Sequence, residues 1–145
     1  MKIGLREVFP AILLMYSSWT DIRRREISGR ALMIFGVVGL LFTYIGIQLE
    51  GFLFCTGILL GLFLMVLSVL TQGELGMGDG LLVLVIGLFL GGEKTLAVLL
   101  TGMLLAALFS MTMLVARGFM RRHPFPFVPF LLGGFALNLG LSYFV

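Results

Sequence analysis

The stretch that decides the fold is "LGMGDGLLVLVIGLFLGG", residues 75–92, in which one carboxylate, Asp79, stands at the mouth of a run uncharged from Gly80 to Gly92. A charge is rarely placed against so apolar a segment unless it has a partner or a task. The rest of the chain is equally apolar. Of 145 residues 60% are hydrophobic and only 12% charged, and the mean hydropathy is +1.16. Soluble chains carry about a quarter charged residues. The solvent expected for this one is therefore lipid.

Charges and polar knots divide the chain into six apolar segments, 8–20, 31–49, 51–70, 80–92, 95–116 and 125–145. They are long, continuous and without polar/apolar alternation, which predicts helices and not a barrel. The fold class expected is all-α: one membrane-embedded domain over 1–145, with six transmembrane helices. No small-residue cleavage site follows the first run, so it is read as a retained span and not as a signal peptide.

The loops alternate in charge. Arg23, Arg24, Arg25 and Arg30 lie between the first two segments, and Arg117, Arg121 and Arg122 between the last two; the other side holds only Lys2, Arg6 and Lys94. The arginine-rich loops are thus expected in the cytoplasm of a prokaryotic plasma membrane, with both termini outside. The net charge of +3 is small and forms no nucleic-acid face. The single cysteine, Cys55, excludes an internal disulfide and a cysteine-based zinc site. No metal or organic cofactor is implied.

Crossing parity supplies Asp79 with a partner. Asp21, in "SSWTDIRRREISG", closes the first segment, and two full crossings separate it from Asp79. Both acids therefore return to the cytoplasmic face. The first and fourth segments are too short for the about 20 residues that span the hydrocarbon. If they begin at Glu7 and Glu93, both carboxylates sit roughly 9 Å inside the cytoplasmic edge. Two acids held together cannot both ionise comfortably and titrate as a unit. One can draw a proton from water while the other donates to a carbonyl oxygen. Helix capping, or proton or ion coupling in a small transporter or accessory subunit, would use the same acids.

Gly76 and Gly78 flank Met77 just before Asp79. Glycine there permits positive φ and lets a second chain approach, as an extended peptide presented for cutting requires. The spacings Gly57-x-x-x-Gly61 and Gly87-x-x-x-Gly91 suit close helix contact, either within the chain or between two copies in a homo-oligomer.

In these features the chain resembles the type IV prepilin and preflagellin peptidases, membrane aspartic proteases of the Gly-x-Gly-Asp class. Asp21 and the run Gly76-Met77-Gly78-Asp79 fall on the two aspartate positions of that family. Pro126-Phe127-Val128-Pro129-Phe130-Leu131 is similar to the stretch that opens its last helix. Ile27-Ser28-Gly29 departs from the usual Ile-Pro-Asn, and no lysine follows Asp79 closely. The paired cysteines of the larger, bifunctional relatives are absent, which points to the short, peptidase-only form. The resemblance implies an aspartic endopeptidase that removes a basic leader from a prepilin-like membrane protein, with Asp21 and Asp79 catalytic and Gly76 and Gly78 beside the substrate backbone.

Smaller features read more simply. The arginines suit anionic headgroups better than a basic leader. Glu26 and Glu74 have the sign to meet such a leader or to form surface ion pairs. His123 reads as a headgroup-level side chain, and Asn138 as an interhelical hydrogen bond.

Overall fold

The computed structural model describes residues 4–24, 27–44, 51–72, 76–117 and 126–144. Lys2, Arg25, Glu26, Glu74, Arg121, Arg122 and His123 lie outside them. The described residues form helices and no strands: α1 (Leu5–Arg24), α2 (Gly29–Tyr44), α3 (Gly51–Leu70), α4 (Met77–Arg117) and α5 (Val128–Phe144). The all-α expectation is met.

α4 is interrupted by Gly91, with φ 78° and ψ 171°. That conformation belongs essentially to glycine alone, and it reverses the chain. Phe89, just before it, stacks on Phe9 of α1 at 5.7 Å between ring centroids, and Lys94, just after it, pairs with Glu7 at 3.1 Å. Further on, Gly102 backs against Leu131 and Phe109 meets Phe130, at the beginning of α5. The first arm (77–90) therefore runs opposite to α1, and the second arm (92–117) runs with it. These two arms correspond to the fourth and fifth apolar segments of the sequence.

Glycines set the packing distance. A Cβ on Gly87 would stand 2.6 Å from the carbonyl oxygen of Gly57, one on Gly61 would strike Leu84, and one on Gly80 would lie 2.9 Å from Met65. α3 and the first arm thus pack antiparallel, backbone against backbone, as small residues allow in lipid. Gly57 and Gly61, open from the sequence to packing within the chain or between copies, are used within it. Gly134 of α5 approaches Gly102 and Val98 of the second arm in the same way. α2 follows the first arm in parallel, with Gly36 facing Val85 and Gly39 facing Leu88.

The exterior is as apolar as the interior, unlike that of a soluble bundle. Leu59, Phe63, Val66 and Leu70 form an exposed stripe on α3, and Met103, Leu104, Met111 and Val115 do so on the second arm. Ser17, Ser18, Ser68 and Thr95 are buried with a core of Leu13, Leu14, Leu82, Ile86 and Leu131. Exposed apolar flanks on this scale suit a lipid surround. The span Met77–Val115 of α4 is long and apolar enough to cross a membrane, with hydropathy 2.3; Gly29–Phe42, Cys55–Leu70 and Val128–Ser142 are shorter apolar helices.

These contacts sort the bundle into two ends. The start of α1, the Gly91 bend and the end of α5 share one, where Glu7, Lys94 and Ser142 line a common cavity. The end of α1 and the starts of α2, α4 and α5 share the other. Asp21 and Asp79 are both there.

Candidate active site

Asp21 lies in the last turns of α1, whose helix continues past it to Arg24. Asp79 lies in the first turn of α4. Both are partly buried, and Asp79 is near enough to feel the charge of Asp21. Two residues 58 positions apart in sequence thus meet at one end of the bundle, as crossing parity requires.

The local geometry explains how each carboxylate is held. Gly76 precedes α4 and accepts the Asp79 N–H through its carbonyl at 3.0 Å. This makes Asp79 the third residue of the helix, a position where a carboxylate complements the positive end of the helix dipole. Its side chain folds back, so that a Cβ on Gly76 would stand 3.1 Å from Asp79 Oδ2. Glycine at 76 leaves that oxygen uncovered.

Asp21 is held from another helix. Phe127 precedes α5 and accepts the N–H groups of Phe130, at 3.0 Å, and Leu131, at 3.2 Å. Pro129 has no N–H to satisfy, and the Val128 N–H, at the fully buried start of the helix, donates to Asp21 Oδ2 at 3.1 Å. Helix starts leave such donors without an intrahelical partner. Here the Pro-Phe-Val-Pro opening removes one by chemistry and satisfies another with the carboxylate. Each acid therefore sits at a helix N-terminus: Asp79 at that of its own helix, Asp21 at that of α5.

The role expected of Gly78 changes in detail. It lies in regular helix, and the positive φ values among the described residues belong to Gln72 (54°) and Gly91 (78°). What its missing side chain admits is the chain's own Ile27, whose Cδ1 would be 3.2 Å from a Cβ at 78. The connection from α1 to α2 therefore leans on the run that carries Asp79. The reason is that Gly78 starts a helix, where close approach matters and unusual torsions do not.

Three residues of this site make contacts that the sequence does not announce. Val128 contributes only its backbone, and Ile27 only bulk at one point. Ser17, one helical turn before Asp21, buries a hydroxyl with no hydrogen-bond partner among the described residues. No group of three or more His, Cys, Asp and Glu side chains able to hold a metal occurs among the described residues. Asn138 forms the interhelical bond expected of it, donating to Thr101 Oγ1 at 2.9 Å and to the Gly134 carbonyl at 2.8 Å.

The family model described as the type IV leader peptidase family aligns with residues 8–111, a stretch that includes both aspartates, Gly76 and Gly78. No curated protein and no solved structure matches the chain.

Proposed function

The chain belongs to the type IV leader peptidase family, and from that premise we propose that it is an aspartic endopeptidase of the plasma membrane that removes the basic leader of prepilin-like proteins at the cytoplasmic face. The observation that carries the mechanism is the meeting of Asp21 and Asp79 at one end of the bundle, each at a helix N-terminus.

The reaction follows from two carboxyls and a water. One ionised carboxylate takes a proton from water as the oxygen adds to the scissile carbonyl carbon. The protonated partner donates to the carbonyl oxygen, and collapse breaks the C–N bond with proton transfer to the leaving amine. The Val128 N–H fixes the orientation of the Asp21 carboxylate, so the pair does not have to be organised anew at each turnover. Gly76 leaves Asp79 Oδ2 open on the side from which an extended backbone could approach.

Six membrane crossings are part of the same reading, with α4 counted as two at the Gly91 bend. From Glu7 to Asp21, α1 advances about 21 Å of the about 30 Å hydrocarbon layer. From the bend to Asp79 the first arm advances about 18 Å. With the Glu7–Lys94 pair at the outer surface, both acids stand roughly 9 to 12 Å inside the inner one. A substrate whose apolar helix lies in the bilayer would present its leader junction at that level, which gives a reason for a protease to live in lipid.

The test is co-expression with a tagged prepilin-like protein, read as the leader-cleavage shift on a gel. Cleavage by the intact chain and none by Asp21→Asn or Asp79→Asn, with each variant still in the membrane fraction, is the expected result. Full cleavage by either single variant sinks the two-acid mechanism.

A further inference from the structure

On the outside of the bundle, α1 and α2 both lean on the first arm of α4 and meet one another at Phe9, whose ring packs on Phe35 and Phe42. The gap between them is a cleft of about 830 Å³. Its deeper walls are apolar, formed by Ile12 and Tyr16 on one side and Ile34 and Phe35 on the other. Its mouth, at the aspartate end, is formed by Arg23, Arg24 and Arg30, and no acidic residue among the described residues lines it. One of these cations is already stationed: the Arg23 guanidinium lies 4.7 Å over the ring of Trp19, itself part of the cleft wall.

We propose that this cleft is a binding site for an anionic phospholipid, with the phosphate among Arg23, Arg24 and Arg30 and an acyl chain along Ile12, Tyr16, Ile34 and Phe35. The shape of the charge selects this occupant. Three cations at the mouth, with no counter-charge among the described lining residues, repel a basic peptide and attract a phosphate, and guanidinium groups match phosphate oxygens in bidentate fashion. Apolar walls running inward from a cationic rim have the polarity of a single lipid, headgroup first. Arg23 and Arg24 stand within one turn of Asp21 on the cytoplasmic side, and side chains of their length extend along apolar surface to bring the charged heads to headgroup level. None of these side chains belongs to the pair of acids. The site rests on the bilayer reading but not on peptidase activity.

The chain carries its own reporter, since Trp19 is its one tryptophan and more than half exposed in the cleft. The full-length protein is reconstituted in phosphatidylcholine vesicles containing equal fractions of either brominated phosphatidylglycerol or brominated phosphatidylcholine, and quenching of Trp19 fluorescence is compared. The anionic lipid should quench at a several-fold lower mole fraction. Each of Arg24→Gln and Arg30→Gln should reduce the preference, by up to about five-fold per charge removed. Arg23→Gln/Arg24→Gln/Arg30→Gln should bring the two lipids level. Equal quenching in the unaltered protein overturns the proposal, and so does a preference that survives in both single variants and in the triple one. Because no substrate enters the measurement, failure of the leader-peptidase reading would leave its outcome unchanged.

Discussion

The two ends of this bundle solve the same problem in opposite ways. At each, charged side chains from distant parts of the chain are brought together beside apolar helices. At the Gly91 end, Glu7 meets Lys94 at 3.1 Å, with the lysine well exposed, and the result is an ordinary neutral pair. At the other end, two acids, Asp21 and Asp79, are brought within electrostatic reach of one another. Such an arrangement is unfavourable unless other groups hold it. It is held by specific devices: the Val128 N–H on Asp21, the first turn of α4 under Asp79, and glycine at 76. Surface ion pairs contribute little to stability. The difference therefore predicts that the Glu7–Lys94 end can be altered cheaply and the aspartate end cannot.

The sharpest way to break the comparison is to neutralise one group at each end. Asp79→Asn should lower leader cleavage by about 10²- to 10⁴-fold, the range associated with a positioned acid or base. Glu7→Gln, measured in the same gel-shift assay with membrane abundance as control, should leave cleavage within about two-fold. Comparable losses at both ends would mean that the aspartates serve the fold as the ion pair does.

Next in size is the device that holds Asp21. Proline is well suited to the first position of a helix, and Val128 occupies that position in α5. Val128→Pro should keep the helix start while deleting the single N–H that reaches Asp21 Oδ2. A hydrogen bond to a charged group is worth about 1.5–3 kcal/mol, so kcat should fall by about 10- to 100-fold with abundance nearly unchanged. Val128→Ala, which keeps the N–H but removes a buried side chain, should show the reverse: reduced thermal stability and a smaller loss of kcat per folded molecule. If the alanine variant loses more kcat than the proline variant, the donor does not orient the acid.

Much of this division was legible in the residues alone. Counting two apolar segments between Asp21 and Asp79 places them at one end, because apolar segments and charged loops are local signals. The Pro-Phe-Val-Pro stretch marks the start of α5 for the same reason. What the sequence hides is contact made by backbone. The Val128 amide, the opposition of Gly57 to Gly87, and the seat of Ile27 against Gly78 depend on which helices become neighbours. A glycine spacing such as Gly57-x-x-x-Gly61 announces close approach without naming the partner. Nor does Gly91 look unlike its neighbour Gly92, although Gly91 alone of the two turns the chain.

That turn yields a prediction about stability instead of chemistry. At φ 78° and ψ 171° an alanine is strained by about 1–3 kcal/mol. Gly91→Ala should lower the midpoint of thermal unfolding in detergent, whereas activity per folded molecule at low temperature should be nearly preserved, since the bend is at the far end from the acids. Gly57→Val should destabilise by a similar or larger amount, because its side chain would meet the backbone of Gly87 across α3 and α4. Gly78→Ala belongs to the other class. Its Cβ would meet the Ile27 side chain alone, at 3.2 Å from Cδ1 and 3.4 Å from Cβ, so any loss should appear in cleavage before it appears in abundance.

The smallest effect is expected between the two ends, at Asn138. Its amide joins α5 to Thr101 on the second arm of α4 and also donates within its own helix to Gly134. A half-buried polar side chain within an apolar helix invites the inference that it is functional, but both of its donors are accounted for and neither acid is involved. Interhelical hydrogen bonds in membrane proteins are worth about 0.6 kcal/mol on average. Asn138→Leu removes the amide at nearly constant volume and frees Thr101 to keep the bonds it makes to Ala97 and Val98 of its own helix. The unfolding midpoint should therefore shift by no more than a few degrees, with cleavage unchanged. A large loss of cleavage in a protein of normal stability would extend the working region from the aspartate end into the middle of the bundle, and the contrast between its two ends would no longer describe the site.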